Sequence, residues 1–230
     1  MLWRCGERSL ECSARTLVMG ILNVTPDSFS DGGRFFDPGI AVRHAVEMIA
    51  DGADIIDVGG ESTRPGSDPV SVEDERDRVV PVIKAIAAEA PDVPVSIDTR
   101  KHEVAAAALE AGATIVNDVS AGADPDMFAV VRDAGAGMVL MHMKGEPKTM
   151  QEAPHYDDVV AEVAAFLQSR VATARAAGVA HERIWLDPGI GFGKRLEHNL
   201  ALLANLESLV GLGFPVLLGE IGRASCRERV

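Results

Sequence analysis

Several short apolar runs in this sequence end in polar or charged side chains that could do chemistry. Ten residues stand at or just after such ends: Asn23, Asp57, Glu61, Thr63, Arg64, Asp98, Asn117, Asp118, His142 and Asp187. Carboxylates and amides gathered in one place can bind a metal ion, act as general acid and base, or hydrogen-bond a polar heterocycle. Each acid could also be an ordinary helix cap or surface residue, so the residue types alone leave all these possibilities open.

Histidine is scarce among these candidates, which bears on the kind of metal site they could form. His142 is the only histidine at the end of an apolar run, so a zinc site would lack its usual nitrogen and sulfur ligands. Asn23 with nearby oxygen atoms suits Mg²⁺ better. The side chains of Asp98, Asn117 and Asp187 offer acceptors and an amide, which are the groups needed to recognise the edge of an aminopyrimidinone ring.

The segment Asp187-Pro188-Gly189-Ile190-Gly191-Phe192-Gly193-Lys194 invites comparison with a phosphate-binding loop. Its spacing is not that of a Walker loop, and neither Ser nor Thr follows the lysine. The glycines instead indicate a backbone that approaches a flat ligand closely. A Schiff-base aldolase is disfavoured because Lys144, Lys148 and Lys194 all fall in predicted loops, where the first two are expected to be solvated.

The elements that must position these residues alternate between strand-like and helix-like patterns. Short apolar runs predict strands over 17–23, 55–59, 94–98, 115–117, 138–141, 184–187 and 216–218. Apolar residues at helical spacing, with capping residues and closing glycines, predict helices over 40–51, 71–90, 101–110, 125–133, 157–177 and 198–210. This alternation is typical of a parallel sheet covered by helices.

Such repeats fit either a closed (β/α)8 barrel or an open, doubly wound sheet. An open sheet concentrates its polar residues at one switch point, whereas here polar residues end nearly every strand. We therefore predict a barrel, in which all of these side chains converge on one mouth.

Composition narrows the classes of partner and compartment. The 230 residues are 47% hydrophobic and 25% charged, which suits one domain with a sizeable core. A formal net charge of −13 argues against nucleic acid or an anionic membrane as a partner. The three cysteines form no CxxC pair, and the first 13 residues carry charges where a signal peptide would be apolar. No apolar run is long enough to span a bilayer, so we expect a cytoplasmic protein that acts on small molecules.

Six segments, taken in order, resemble the motifs of dihydropteroate synthase. They are Gly20–Gly33, Asp57–Gly66, Ser96–Thr99, Asn117–Ser120, Met141–Gly145 and Asp187–Lys194. The resemblance runs from about Leu17 to Gly219 and implies a (β/α)8 barrel. It also implies a transferase that joins 6-hydroxymethyl-7,8-dihydropterin diphosphate to p-aminobenzoate, forming 7,8-dihydropteroate for folate synthesis and releasing pyrophosphate.

The resemblance further implies roles for individual residues. Asp98, Asn117 and Asp187 would hydrogen-bond the pterin, and the slot would be lined by Val119, Met141, Gly191 and Phe192. Asn23 would hold Mg²⁺ against the diphosphate. The diphosphate and p-aminobenzoate would meet Asp27, Phe29, Thr63, Arg64 and Pro65. Arg64, Asp98 and Asp187 would carry catalysis, because a dissociative displacement needs positive charge at the departing diphosphate and support for a pterin that becomes cationic.

The sequence departs from the family pattern after Gly219. The family carries a Ser-x-Arg-Lys element after its seventh strand and an Arg-x-His pair on its eighth, whereas residues 220–230 here show neither element and no strand pattern. We therefore expect a truncated pterin-binding barrel over 1–219 and a non-family tail over 220–230. The last helix, strand and helix would be missing, and turnover would be poor. The resemblance implies that the homodimer common in the family forms through late helices, which are partly lost here.

Two other functions fit a pterin-binding barrel. One is a non-catalytic pterin-binding module, and the other is a pterin-binding methyltransferase domain of the methyltetrahydrofolate type. The segments 25–33 and 62–66 favour the transferase, because a module that only binds pterin does not need loops for p-aminobenzoate and diphosphate.

Overall fold

The computed structural model describes residues 2–24, 38–62, 69–145, 149–150 and 154–219. The described chain begins with an antiparallel hairpin of two strands, β1 (Leu2–Cys5) and β2 (Arg8–Glu11). A parallel sheet follows in chain order, formed by β3 (Met19–Asn23), β4 (Ile55–Gly59), β5 (Val95–Asp98), β6 (Ile115–Asp118), β7 (Gly137–Met141) and β8 (Ile184–Asp187). The predicted parallel order of these six strands is confirmed.

Helices connect the strands, as the hydrophobic periodicity predicts. They are α1 (Pro38–Ala50), α2 (Val72–Glu89), α3 (His102–Glu110), α4 (Met127–Ala134), α5 (Val159–Ala176), α6 (Leu196–Ala204) and α7 (Leu206–Val210). The last two correspond to the single helix predicted over 198–210, which is interrupted at Asn205. Ser71 caps α2 as predicted, because its hydroxyl oxygen accepts a hydrogen bond from the Asp74 N–H at 3.1 Å. Within the described residues, no helix combines the length and apolar character needed to cross a membrane.

The strand predicted over 216–218 is the one element that the sequence overestimates. The segment makes a single parallel bridge, between Leu186 and Val216. Two hydrogen bonds support that bridge, from the Leu186 N–H to the Pro215 carbonyl and from the Leu217 N–H to the Leu186 carbonyl. Within the described residues the bridge does not extend into a ladder, so this segment is not a strand of the sheet.

The parallel sheet curls around its own interior. Its amino-end side chains form one apolar cluster with the hairpin, made of Trp3, Cys5, Ile55, Ile115, Val139 and Trp185, with Met19 and Leu217 packed against it. Because residues of β3 and β8 both contact this cluster, the sheet is bent into part of a (β/α)8 barrel. Side chains alternate along a strand, so the residues two positions after Ile55, Ile115 and Trp185 lie on the same inner face, nearer the carboxyl end. These residues are Asp57, Asn117 and Asp187.

The hairpin closes the amino end of this barrel, a feature that the sequence did not predict. Trp3 is fully buried, and its ring centroid lies 3.9 Å from that of Trp185. The Trp3 indole N–H donates to the Arg183 carbonyl at 3.0 Å. A Cβ at Gly137 would lie 2.9 Å from the Trp3 ring, so β7 must have a glycine where the indole sits.

The barrel is open along one side within the described part of the chain. There, β3 pairs only with β4. Ile21 lies on the inner face, opposite Asp57 in the register, yet 58% of its surface is exposed. The outer face of β3 is covered instead, because Leu22 is buried in the core between the sheet and the helices.

Candidate active site

A row of four residues crosses the carboxyl end of the sheet. The strand register pairs Asn23 with Gly59, Gly59 with Asp98, and Asp98 with Asn117. A Cβ at Gly59 would lie 3.6 Å from both the Asn23 Oδ1 and the Asp98 Oδ2 atoms, so these two oxygens lie over the same glycine. The predicted convergence of Asn23, Asp98 and Asn117 is confirmed.

Asn117 is held by a carboxylate one layer deeper in the barrel. Its amide Nδ2 donates to the Asp57 Oδ2 atom at 3.0 Å. Asp57 is buried, and this burial raises the pKa of its carboxyl group. The Asp57 carboxylate therefore orients the Asn117 amide from below. Asp57 itself is not exposed at the mouth.

Asp98 shares this crowded acidic environment. Burial raises the pKa of Asp98 well above its ordinary value, and the nearby carboxylates of Asp57, Glu75 and Asp118 raise it further. A carboxyl group that holds its proton easily can donate a hydrogen bond as well as accept one. Asp98 can therefore pair with either an acceptor or a donor on a heterocycle.

Asp187 ends β8 and lies opposite Met141 in the register. Its Oδ1 atom accepts a hydrogen bond from the Gly189 N–H at 2.7 Å. The side chain is buried, and burial raises the pKa of Asp187 to about 6. A Cβ at Gly219 would lie 4.0 Å from the Asp187 Oδ2 atom, so the described chain ends beside this carboxylate.

The residues predicted to form the slot lie at or after the carboxyl ends of β6, β7 and β8. Val119 and Met141 are buried, whereas Gly191 and Phe192 are half-buried in the loop after β8. Gly189 and Gly193 have positive φ angles, and a Cβ at either position would lie within 2.3 Å of a carbonyl oxygen of residues 142 to 144. Only glycine fits at these two positions, because the loops after β7 and β8 touch through their backbones.

Asp118 and His142 were predicted candidates, but neither faces the mouth. Asp118 points away from the inner face, and its carboxylate accepts hydrogen bonds from the Ser120 N–H and hydroxyl and from the Gly122 N–H. His142 is buried, with its ring edge-on to Phe166 at a centroid distance of 4.9 Å. Burial and the neighbouring Lys194 lower the pKa of His142 to about 3, so its imidazole is neutral and structural.

Five predicted site residues lie outside the described residues. They are Asp27, Phe29, Thr63, Arg64 and Pro65. Their proposed contacts with diphosphate and p-aminobenzoate remain predictions.

Glu61 belongs to an ion-pair network behind the mouth. Its carboxylate pairs with Arg100 at 2.6 Å and with Lys101, which also pairs with Glu75. Burial alone would raise the pKa of Glu61, but the hydrogen bonds from Lys101 and Arg100 outweigh burial and lower it. Glu75 is fully buried. Lys101 therefore links the segment after β4 to α2 through two carboxylates that have little access to water.

We expect Lys101→Met to destabilise the fold by about 3 to 5 kcal/mol, because it leaves a buried carboxylate without a counter-charge. Urea unfolding followed by circular dichroism measures this change. Lys84→Met is the matched control, since Lys84 is exposed on α2, the helix that carries Glu75, and its loss should change stability by less than about 0.5 kcal/mol.

The double variant Lys101→Met/Glu75→Gln separates the charge effect from lost packing. It should regain part of the stability lost in Lys101→Met, because the buried charge on Glu75 is then removed as well. Equal stability of Lys101→Met and Lys84→Met would contradict the role assigned to this network.

The oxygen atoms at the mouth suit a magnesium ion that is shared with water and substrate phosphates. They suit a metal ion whose ligands all come from the protein less well. Mg²⁺ keeps several waters and commonly takes one or two protein oxygens together with substrate phosphates. The Asn23 Oδ1 atom, placed over Gly59 at the mouth, could be such a ligand. Another group in the described residues, His102, Glu103 and Asp124, could also hold an ion. There, however, both Asp124 oxygens already accept backbone hydrogen bonds, from the N–H groups of His102 and Asp126.

Comparison with known proteins decides the family. A sequence model described as pterin binding enzyme matches residues 19–228. The dihydropteroate synthase of Escherichia coli strain K12 is 52% identical over 202 residues, which cover 88% of this chain and 71% of that enzyme. This chain belongs to the dihydropteroate synthase family. The resemblance predicted from six motifs is confirmed.

Solved structures of dihydropteroate synthases agree with the fold described above. The Xanthomonas albilineans enzyme with 4-aminobenzoic acid superimposes with a TM-score of 0.89 at 47% identity, covering 99% of this chain and 82% of that one. The same enzyme in complex with 7,8-dihydropteroate gives a TM-score of 0.85 at 44% identity, with coverages of 99% and 82%. This dihydropteroate synthase family member therefore shares the barrel architecture of its relatives throughout its described length.

Lys194 is the residue at this site that sequence reasoning missed. The sequence pattern places Lys194 in a loop and indicates no role for it. In the structure only 3% of its surface is exposed, and it lies between the loops after β7 and β8. The signal in the sequence was its place at the end of three closely spaced glycines, where a lysine can reach the carbonyls of its own loop.

Proposed function

We propose that this chain catalyses the dihydropteroate synthase reaction. The C–O bond between the pterin methylene carbon and the diphosphate breaks, and its electron pair leaves with pyrophosphate. The amine nitrogen of p-aminobenzoate forms the new C–N bond and releases its proton to solvent. The observation that carries the proposal is the convergence of Asp98, Asn117 and Asp187 on one inner face, in a chain about half identical to dihydropteroate synthases.

These three side chains match the hydrogen-bonding edge of a pterin. The 2-amino group and the ring N–H groups donate, and carboxylates accept such bonds strongly. The Asn117 amide can pair with an acceptor on the ring while Asp57 holds it from behind. Val119, Met141, Gly191 and Phe192 then form the slot that takes the flat ring.

The other assigned residues would act on the diphosphate and p-aminobenzoate. We assign Asn23 to Mg²⁺, which when bound would supply positive charge to the diphosphate. Arg64 would stabilise the same leaving group, as positive charge placed where negative charge develops lowers the barrier. Thr63, Pro65, Asp27 and Phe29 would form the p-aminobenzoate pocket, in accord with the 4-aminobenzoic acid held by the Xanthomonas albilineans enzyme.

Several finer assignments stay predictions. These are the domain limits at 219 and 220, the cytoplasmic location, homodimer formation and slow turnover by the 230-residue chain. The non-catalytic module and the methyltransferase domain are less favoured, because the relatives that match at about 50% identity are named dihydropteroate synthases. Formation of dihydropteroate from the two substrates, assayed on the purified chain, distinguishes the transferase from both.

We expect Asn117→Ala to weaken pterin binding by about 1 to 3 kcal/mol, which is roughly a tenfold to hundredfold loss in affinity. The variant removes the amide that would bind the ligand. It also leaves the buried Asp57 carboxylate without the hydrogen bond that it accepts from that amide. Isothermal titration calorimetry with 6-hydroxymethylpterin measures the change.

Asn205→Ala is the matched control for this prediction. Asn205 is exposed between α6 and α7, and its amide bonds only locally to the Ala201 carbonyl at 2.8 Å. Its pterin affinity should equal that of the unsubstituted chain. If Asn117→Ala binds as tightly as this control, the pterin assignment of Asn117 is wrong.

A further inference from the structure

The ammonium group of Lys194 is enclosed by acceptors from two loops. Its Nζ atom lies 2.9 Å from the Gly189 carbonyl oxygen and 3.0 Å from that of Phe192. The His142 carbonyl oxygen and ring Nδ1 lie at 3.2 Å and 3.0 Å. All three N–H donors of the ammonium group therefore find partners within the protein.

Two of these acceptors, the Gly189 and Phe192 carbonyls, belong to the loop that carries the proposed pterin slot. Gly189 and Phe192 bracket Gly191, whose N–H donates to the Asn199 side chain at 3.0 Å. The adjoining Gly193 carbonyl accepts the Tyr156 hydroxyl at 2.8 Å. A loop with three glycines of positive φ has many alternative shapes in solution, so bonds to its carbonyls are needed to select one.

Burial rules out direct contact between Lys194 and a substrate. With 3% of its surface exposed and its donors occupied, the ammonium group cannot reach a phosphate or a reacting atom. Its charge nevertheless acts on Asp187. Burial lowers the pKa of Lys194 to about 7, while Asp187 raises it, and Lys194 in turn lowers the pKa of Asp187.

We infer that Lys194 is a positioning residue of the pterin site, which holds the loop over 189–193 in its binding shape and places a positive charge behind Asp187. This inference rests on the proposed function, because it takes Asp187 as a pterin acceptor. Among the described residues, the charged groups that act on Asp187 are Lys194 from its own loop and Asp57 from β4, and His142 after β7 is neutral.

The test measures 6-hydroxymethylpterin affinity by calorimetry between about pH 5 and pH 8. Asp187 changes its charge in this range, and Lys194, whose pKa is about 7, is mostly protonated in the lower half of it. Lys194→Met should bind about tenfold more weakly at pH 6, where the parent carries the lysine charge. Its affinity should also rise with pH around a midpoint about one unit higher than in the parent, because the charge that favours ionised Asp187 is gone. A residue that only packs the loop would leave this midpoint unchanged.

Two further variants make the result specific. Lys194→Gln keeps N–H donors for the loop carbonyls but has no charge. It should therefore show the shifted midpoint with a smaller loss of affinity than Lys194→Met. It also replaces Lys194→Met in the test if that variant does not fold. Lys84→Met is the control, since Lys84 is an exposed lysine on α2. It should match the parent in affinity and midpoint.

The possible failures are distinguishable. Parent-like affinity and midpoint in Lys194→Met, or an unshifted midpoint in both Lys194 variants, would overturn this inference while leaving the proposed function intact. No pterin binding by the folded parent chain would overturn the proposed function and the role of Lys194 with it.

Discussion

Asp187→Asn is expected to lose about 100-fold or more in pterin affinity and to make the fold more stable. The affinity falls because a buried carboxylate that accepts from the ligand is replaced by a neutral amide, and losing a hydrogen bond to a charged group with a buried donor left unpaired costs about 3 kcal/mol. The stability rises because burial raises the pKa of Asp187 from 3.8 to about 6, so the ionised form is disfavoured in the fold. That shift corresponds to about 1 to 3 kcal/mol near neutral pH.

The pH dependence of this effect has a definite sign. A carboxyl group whose pKa is higher in the folded than in the unfolded state favours folding at low pH, and this contribution is lost as pH rises through about 6. The stability advantage of Asp187→Asn over the parent should therefore be large at pH 7.5 and small below about pH 4. Urea unfolding at both pH values, with calorimetry for pterin, measures the two effects.

Asp51→Asn is the control for both measurements. Asp51 is exposed just after α1, so its substitution should change stability by less than about 0.5 kcal/mol and leave pterin affinity unchanged. Should Asp187→Asn bind pterin like this control, Asp187 is not a pterin ligand.

The second large effect is at the opposite end of the barrel. Trp3→Ala is expected to destabilise the fold by about 3 to 5 kcal/mol, as other buried tryptophan truncations do. The fully buried indole fills the space above Trp185, and its loss leaves a cavity and an Arg183 carbonyl without its donor. Denaturant unfolding measures the change.

Leu2→Ala is the neighbouring control, because Leu2 is 49% exposed on the same strand β1. It should cost less than about 1 kcal/mol. Pterin affinity measured under native conditions should be the same in both variants, since the hairpin lies at the amino end of the sheet and the site at its carboxyl end. A loss below 1 kcal/mol in Trp3→Ala would mean that the hairpin does not close the barrel in solution.

The sequence by itself determined the order and type of the main elements. Helix and strand periods are local properties, so Ile55–Gly59 and Val72–Glu89 could be predicted within one residue of their observed ends. Polar residues at the ends of parallel strands must share one edge of the sheet, which is why Asn23, Asp98 and Asn117 could be grouped before their contacts were known.

Only the tertiary structure decided which of these polar residues face the mouth and what holds them. Asp118 and Asn117 are adjacent in sequence, but alternation along β6 turns one toward its own loop and the other toward Asp57. Trp3 and Lys194 acquire their roles from partners that the chain brings together by folding. Trp3 meets the Arg183 carbonyl 180 residues away, and Lys194 meets His142 52 residues away. Such contacts depend on how the sheet closes, and no local pattern of residues records that closure.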